Sequence, residues 1–380
     1  MTQKLYNENS YLTEFDAVVT QIDGNRIVLD KTAFFPEGGG QSSDKGTINS
    51  IRITDVQEEN GIIYHYTDEN HCLKEGDKIH GSVDFTKRFS DMQQHSGEHI
   101  VSGVIHNMFS LENIGFHLGQ DAVTLDFGKV FSKDEINLIE EKANDIVFLN
   151  KKINITFPSP DELKEIPYRS KKELTGEIRI VEIEDVDICA CCAPHVNQTG
   201  EVGLIKIVNF EKHRGGTRIY ILCGKRALID YRKKQEENHT VSVLLKAKEY
   251  ETSQAVEQLL KRKNDSDYEI IHLKEEIARI SAENIKPGKR IIAFTQLSGT
   301  ALTRFADTVK DKAEEFAAVF SKNEDGSYQF VIGSNSIDVR EIGKKMQLSL
   351  SSRGGGKPQM IQGSVKKSEE EIQNFLLNLD

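Results

Sequence analysis

The stretch Gln94-His95-Ser96-Gly97-Glu98-His99 decides how the rest of this 380-residue sequence is read. Two imidazoles stand four residues apart. On a helix that spacing puts both on one face, one turn from each other, a common way for a helix to offer two ligands to zinc. The other cluster of soft ligands is Cys189-Ala190-Cys191-Cys192-Ala193-Pro194-His195, in which Cys191 and His195 are again four apart. Read together, His95, His99, Cys191 and His195 make one tetrahedral site. With 11 His and 5 Cys in the chain, either pair alone arises readily by chance, and the two together are the stronger signal. Plainer readings stand beside it. A helix often carries one satisfied core histidine and one surface histidine, and the clustered thiols suit a redox site or simple burial.

Working outward, Phe85 to Asn107 reads as the first substantial helix. Phe89, Met92, Ile100, Val101, Val104, Ile105 and Met108 recur at helical spacing as one broad stripe. His95 and His99 lie beside that stripe, so their side chains would point into a partly buried cleft. Upstream, residues 12 to 86 read as short strands with frequent turns, which predicts a small β-barrel. Phe15 to Ile22 and Arg26 to Leu29 flank the turn Asp23-Gly24-Asn25; Ile48 to Ile53, Ile62 to Tyr66 and Ile79 to Asp84 continue the pattern. Inside this region lies Phe35-Pro36-Glu37-Gly38-Gly39-Gly40-Gln41. Three consecutive glycines cost conformational entropy and suit a backbone that approaches a ligand, or a plain hairpin loop. No Gly-Lys-Ser/Thr follows, so it is not a P-loop.

Downstream of the first helix, Ala122 to Phe127 reads as a strand and Ser132 to Lys151 as a helix, with Ser132 and Glu135 forming a capping box. Ile153 to Phe157 and Ile178 to Ile183 are strands around a polar 158–176 segment, and Val202 to Val208 and Gly216 to Leu222 follow the Cys cluster. From Lys225 to Asn284 the chain becomes long charged helix, with a break near Tyr250. Ile270, Leu273, Ile277 and Ile280 keep the 3-4-3 spacing of a coiled-coil seam. After Pro287-Gly288 come a buried-type strand, a helix over Gly299 to Glu315, a hairpin pair around Asn323 to Gly326, a helix over Ile337 to Leu350, and a closing helix over 368–379 capped by Ser368 and Glu371. Arg353-Gly354-Gly355-Gly356-Lys357-Pro358 reads as a loop. From Arg340 to Lys367 seven Lys/Arg face one acid, a local cationic patch that suits a phosphate backbone or a solvated surface. The fold class is therefore α+β, in four parts: a glycine-motif barrel (1–86), a metal-bearing unit (87–224), a helical connector (225–286) and a C-terminal α/β unit (287–380).

Composition narrows the classes. A hydrophobic fraction of 37% supports real cores, and 29% charged residues leave room for exposed helix. The five Cys are too few and too clustered for a disulfide framework. No apolar run approaches a membrane span, and MTQKLYNENSYLTEF lacks the form of a signal peptide, so the cytoplasm is the expected compartment. The net charge of −11 argues against indiscriminate nucleic-acid binding, while local patches still act within a Debye length.

The glycine motif ending in Gln41, the His95/His99 pair, Cys191 with His195-Val196, and the final Arg353 to Pro358 motif occur in that order over almost the whole chain. Together they resemble the long form of the free-standing alanyl-tRNA editing proteins, AlaX, which are similar to the editing and C-terminal (DHHA1-type) parts of alanyl-tRNA synthetase. The resemblance implies that His95, His99, Cys191 and His195 hold one Zn2+ per chain. It implies that Gly38, Gly39, Gly40 and Gln41 face the editing pocket, that Gly115-Phe116-His117 lines the amino-acid subsite, and that Arg353, Gly354, Gly355, Gly356 and Lys357 touch tRNA. Cys192-Ala193-Pro194 departs from the Gly-Gly-Thr often found between the Cys and His, and the thiols of Cys189 and Cys192 compete on paper with Cys191. The implied reaction is hydrolysis of the ester joining serine or glycine to tRNA(Ala), which a synthetase pocket built for a methyl group rejects poorly. Gln41, His117 and Thr124 are candidates to meet the serine hydroxyl; Glu98 is a candidate general base or a supporting carboxylate. A homodimer through the connector or the C-terminal unit is a further expectation. There is no evident ATP site. Two other classes compete: an H-x-x-E-H metallopeptidase with Glu173 or Glu177 as third ligand, and a silent tRNA-binding or dimerising protein.

Overall fold

The computed structural model describes residues 1–68, 71–119, 121–170 and 178–379. It divides into two compact units, Met1–Glu237 and Asn238–Asp380, and both mix helix with sheet. Among the described residues, no helix is long and apolar enough to cross a membrane.

In the first unit, six antiparallel strands close into a barrel. Their order is Glu14–Asp23, Arg26–Leu29, Ile62–Thr67, Ile51–Glu59, Gly46–Ile48 and Lys78–Val83, which pairs back onto the first. Closure removes the exposed sheet edges. Strand alternation sends Phe15, Ala17 and Val19 inward, where they meet Ile27, Leu29, Ile48, Ile53 and Ile79. Ile48 to Ile53, read from sequence as one strand, is a hairpin instead. Asn49 adopts a left-handed conformation (φ 52°) and turns the chain between the two strands.

The helix Phe85–Phe109 follows, capped by the Asp84 carboxylate, which accepts from the Lys87 N–H. Its apolar stripe predicts one buried face, but the helix is buried all round from Asp91 to Ile105. A four-stranded sheet (Ile205–His213, Gly216–Cys223, Val123–Phe127, Asn113–Leu118) and a three-stranded one (Ile153–Thr156, Ile180–Ile183, Asp187–Ala190) supply its neighbours. The polar residues on its sides are tolerated because they are paired. Gln94 exchanges two hydrogen bonds with the backbone of Cys223, at 2.8 and 2.9 Å. Gly97, between the two histidines, is where this helix touches Cys223: a Cβ there would come 2.3 Å from the Cys223 Sγ. The helix Lys133–Leu149 carries both halves of the Ser132/Glu135 capping box.

The helix Gly224–Leu245 runs across the division between the units, and Thr252–Asn284 follows after the break near Tyr250. On Thr252–Asn284, Ala278 and Ala282 are buried, while Ile270, Leu273, Ile277 and Ile280 remain 45–54% exposed. The C-terminal sheet has the order Gly288–Thr295, Ala313–Lys322, Tyr328–Gly333, Met360–Val365, Arg353–Lys357. Two helices are shorter than the sequence suggests. Gly299–Lys310 stops early because Ala313 onward pairs in parallel with Gly288–Thr295. Arg340–Leu350 starts late because the Ser334 Oγ accepts from the N–H groups of Ser336 and Ile337 and holds a turn there. The closing helix Glu369–Leu377 has its expected capping box.

Candidate metal centre

The central helix sends His95 and His99 into a buried space where the segment after the strand Asp187–Ala190 delivers Cys191 and His195. The ligand atoms of all four lie within 4.8 Å of one another. The Nε2 atoms of His95 and His195 each sit 3.4 Å from the Cys191 Sγ, and His99 also reaches that thiol. Tetrahedral coordination at ~2.0–2.3 Å separates neighbouring donors by roughly 3.3–3.8 Å, and the two His–Cys separations at 3.4 Å match it.

Each imidazole is oriented from behind. His95 donates from Nδ1 to the Gln41 Oε1 (3.0 Å), His99 from Nδ1 to the Asp187 Oδ2 (2.7 Å), and His195 from Nδ1 to the Ser96 Oγ (3.0 Å). With Nδ1 occupied in all three, Nε2 is the nitrogen each ring turns toward the cluster, the orientation a metal ligand requires. Asp187 is itself held by the Arg169 Nε at 2.7 Å. Although buried, it stays below the ordinary carboxylate range because His99 and Arg169 flank it. The donor set therefore fits a zinc ion.

The three clustered thiols are not equivalent. Burial disfavours ionisation of Cys191, but the imidazoles of His95 and His195 outweigh it and hold its pKa well below the usual thiol value. Burial pushes Cys189 up to about 11, leaving it a neutral neighbour of His99 and Asp187. Cys192 is exposed and turned toward the glycine motif: a Cβ on Gly39 would come 3.3 Å from its Sγ.

The glycine motif covers the cluster. Gly38 and Gln41 exchange backbone hydrogen bonds at 3.0 Å, with Gly39 (φ 59°) and Gly40 (φ 81°) at the tip of the turn. A side chain on Gly40 would strike the Phe116 ring at 2.6 Å, and that ring stands 4.9 Å from the His95 ring. The Gln41 amide is 1% exposed, and its Nε2 has no hydrogen-bond partner. Glu98 is buried as well. Its Oε1 accepts from Ser102 (2.8 Å) and Asn113 (2.7 Å), and its Oε2 lies 3.8 Å from the His99 Nε2.

Three expected subsite residues, Gly115, His117 and Thr124, share the sheet face opposite Phe116. In the antiparallel pair Asn113–Leu118 and Val123–Phe127, Thr124 faces His117 and Asp126 faces Gly115. Leu118 and Val123 point into the core and Phe116 toward His95, so alternation turns Gly115, His117 and Thr124 to the opposite side of the sheet. Of the stretch Gly115-Phe116-His117, only Phe116 meets the cluster. Sequence reasoning missed Asp187 and Ser96; an acid two residues before Cys189 and a hydroxyl beside His95 were the available hints. Glu173 and Glu177, the nominees for a peptidase third ligand, lie outside the described residues. That alternative also leaves Cys191 and His195 without a role.

Three stretches of the chain match known families. Residues 5–87 match the family of class II (A) tRNA synthetases, 178–220 the second additional domain of threonyl and alanyl tRNA synthetases, and 288–380 the DHHA1 domain. The chain is 28% identical to the alanyl-tRNA editing protein AlaX-L of Pyrococcus horikoshii, over 98% of this chain and 96% of that one. It is 36% identical to the alanyl-tRNA editing protein AlaX-M of Saccharolobus solfataricus, over 58% of this chain and 98% of that one. The chain belongs to the AlaX family of alanyl-tRNA editing proteins. It is also 28% identical to the alanine–tRNA ligase of Pyrococcus abyssi, of which it spans 43%.

The DHHA1 region of this AlaX chain holds a second candidate surface. Arg353, Gly354, Gly355, Gly356 and Lys357, expected as a loop, form an exposed edge strand joined to Met360–Val365 by a two-residue turn. The glycines are what permit the pairing: a Cβ on Gly354 would lie 2.2 Å from the Gln362 carbonyl oxygen. Arg353 and Lys357 share one face of the strand, roughly 13 Å apart by strand rise. Arg353 also borders an open cavity of about 830 Å³ with Arg304, Gln329, Gln362 and Ser364 on its walls.

Proposed function

We propose that this protein is a trans-editing hydrolase that deacylates tRNA(Ala) mischarged with serine, or with glycine, at a site holding one Zn2+ per chain. The observation that carries the reading is the unpartnered Gln41 Nε2, buried beside His95. A buried donor without an acceptor costs about 1–3 kcal/mol. A seryl hydroxyl would supply that acceptor and an alanyl methyl would not, so the amide discriminates against the correct ester. Its relatives AlaX-L and AlaX-M are alanyl-tRNA editing proteins, which supports the editing part of this reading.

Bound zinc would supply Lewis acidity toward the ester carbonyl or toward water. The chain's own residues do the rest. His95, His99 and His195 keep fixed tautomers through Gln41, Asp187 and Ser96. Phe116, packed against the glycine turn, would limit the room for the side chain of the ester. Glu98, with Oε2 turned to His99, takes the proton from the attacking water. In this reading the parts 1–86 and 87–224 form the editing site, 225–286 connects, and 287–380 holds tRNA through Arg353 to Lys357. A cytoplasmic homodimer that covers Ile270, Leu273, Ile277 and Ile280 belongs to the same proposal.

The test is release of amino acid from Ser-, Gly- and Ala-charged tRNA(Ala), with and without a chelator. The expected result is release of serine or glycine, little release of alanine, and loss of both activities on chelation. Tight tRNA binding without any release would leave a silent binder. Peptide hydrolysis that survives Cys191→Ala would leave a metallopeptidase.

A further inference from the structure

The glycine turn is not simply laid over the cluster; it is tied down by two cations from the helix that carries His95 and His99. Residues Phe35 to Asp44 leave the barrel as a loop closed at its base. The Asp44 N–H donates to the Phe35 carbonyl (2.9 Å), and the Phe35 N–H donates to the Asp44 Oδ2 (2.6 Å). Into this base the central helix inserts Arg88, which is fully buried, as Asp44 is. The Arg88 guanidinium pairs with both Asp44 oxygens and donates to the carbonyls of Ser10 (2.9 Å) and Ala33 (2.6 Å). One residue earlier, the Lys87 Nζ donates to the Ser42 Oγ (3.0 Å), the Ser43 carbonyl (2.8 Å) and Asp91 (2.7 Å). The far side is held by the Leu118 N–H, which donates to the Gly40 carbonyl at 3.0 Å.

Arg88 and His95 are seven residues apart, two helical turns, and so lie on nearly the same face. One rigid element therefore fixes both the metal-facing imidazole and the root of the loop that brings Gln41 to it. A buried ion pair is weak evidence for stability as such, and its best-attested use is to hold a register. Here the register is that of Gln41 against His95.

We propose that Arg88 with Asp44, and Lys87 at the adjoining Ser42 and Ser43, are positioning residues that hold Gln41 on His95 and so set selectivity for the small hydroxylated ester. The assignment rests on the editing reading above, and its test separates the two. The variants are Arg88→Lys, Lys87→Met and Asp44→Asn, each checked for folding. Lys87→Met is the one that keeps the core intact, since Asp91 retains its bond to Arg226. The readouts are zinc content, amide hydrogen exchange over 36–43 and over 94–99, and kcat and KM for the seryl and alanyl esters of tRNA(Ala).

The expected result for Lys87→Met is unchanged zinc content, at least tenfold faster exchange over 36–43, unchanged exchange over 94–99, and a seryl kcat/KM about tenfold lower with the alanyl value unmoved. Unchanged exchange over 36–43 in a folded variant would overturn the proposal. So would an equal fall for both esters. If the unaltered protein hydrolyses neither ester, the editing reading fails, and the exchange data alone still decide whether the two cations hold the loop.

Discussion

Two glycine triplets occupy opposite environments in this protein. Gly38-Gly39-Gly40 is a tight turn closed by reciprocal hydrogen bonds, pressed against Phe116 and clamped from the helix that carries the histidines. Gly354-Gly355-Gly356 is an extended, exposed edge strand between Arg353 and Lys357. The first uses the missing side chains to bring backbone close to the buried His/Cys cluster. The second uses them to pair closely with the backbone of Met360–Val365, with a cation at each end. In the proposed reading, the same three residues make room for chemistry in one place and for tRNA in the other.

The comparison breaks most sharply at the metal. His95→Ala or His195→Ala should abolish both zinc binding and deacylation, a loss beyond ~100-fold, while tRNA affinity in a filter-binding assay stays near that of the unaltered protein. If tRNA affinity falls equally, the two regions are not separable. Asp187→Asn keeps the shape but weakens the hold on His99. Competition with a chromogenic chelator should show zinc affinity lower by roughly 10–100-fold. The third test sets the triplets directly against each other. Gly40→Ala places a methyl group on a left-handed backbone and into a ring, which should cost about 1–3 kcal/mol in urea unfolding and most of the activity. Gly355→Ala meets nothing within 4 Å and should change neither. The smallest effect is expected from Arg353→Ala with Lys357→Ala. Catalysis on saturating tRNA should persist, and the slope of log affinity against log salt should shrink by ~1–2. An unchanged slope would remove the edge strand from the tRNA contact.

The meeting of His95, His99, Cys191 and His195 was legible because a spacing of four on a helix is local information, and because soft ligands are scarce in this chain. The capping residues Ser132 and Ser368 were legible for the same reason. What lay beyond reach depended on pairing between distant segments. Asp187 becomes the partner of His99 only once the strand Asp187–Ala190 is placed beside the central helix. The glycines at 354–356 looked like a loop because glycine disfavours strands in isolation, and only the backbone of Met360–Val365 makes it the residue that fits. Phe116 and His117 are adjacent in a strand, so alternation turns them to opposite faces of the sheet and only Phe116 toward the cluster. The burial of the central helix on every side was hidden because its polar flanks, Gln93, Gln94 and Ser102, donate to the Glu201 and Cys223 carbonyls and to Glu98 rather than to water.

The contact between Gly97 and Cys223 has a practical consequence for anyone mapping this protein by saturation mutagenesis. Every substitution at Gly97 would lever the histidine-bearing helix off the strand behind it, so position 97 would score in an activity screen as intolerantly as its neighbours at 95 and 99. A ranking by tolerance alone would enrol it among the reactive groups. Pairing Gly97→Ala with Cys223→Ala, which removes the Sγ that a methyl group would strike, would tell a steric keystone from a chemical one.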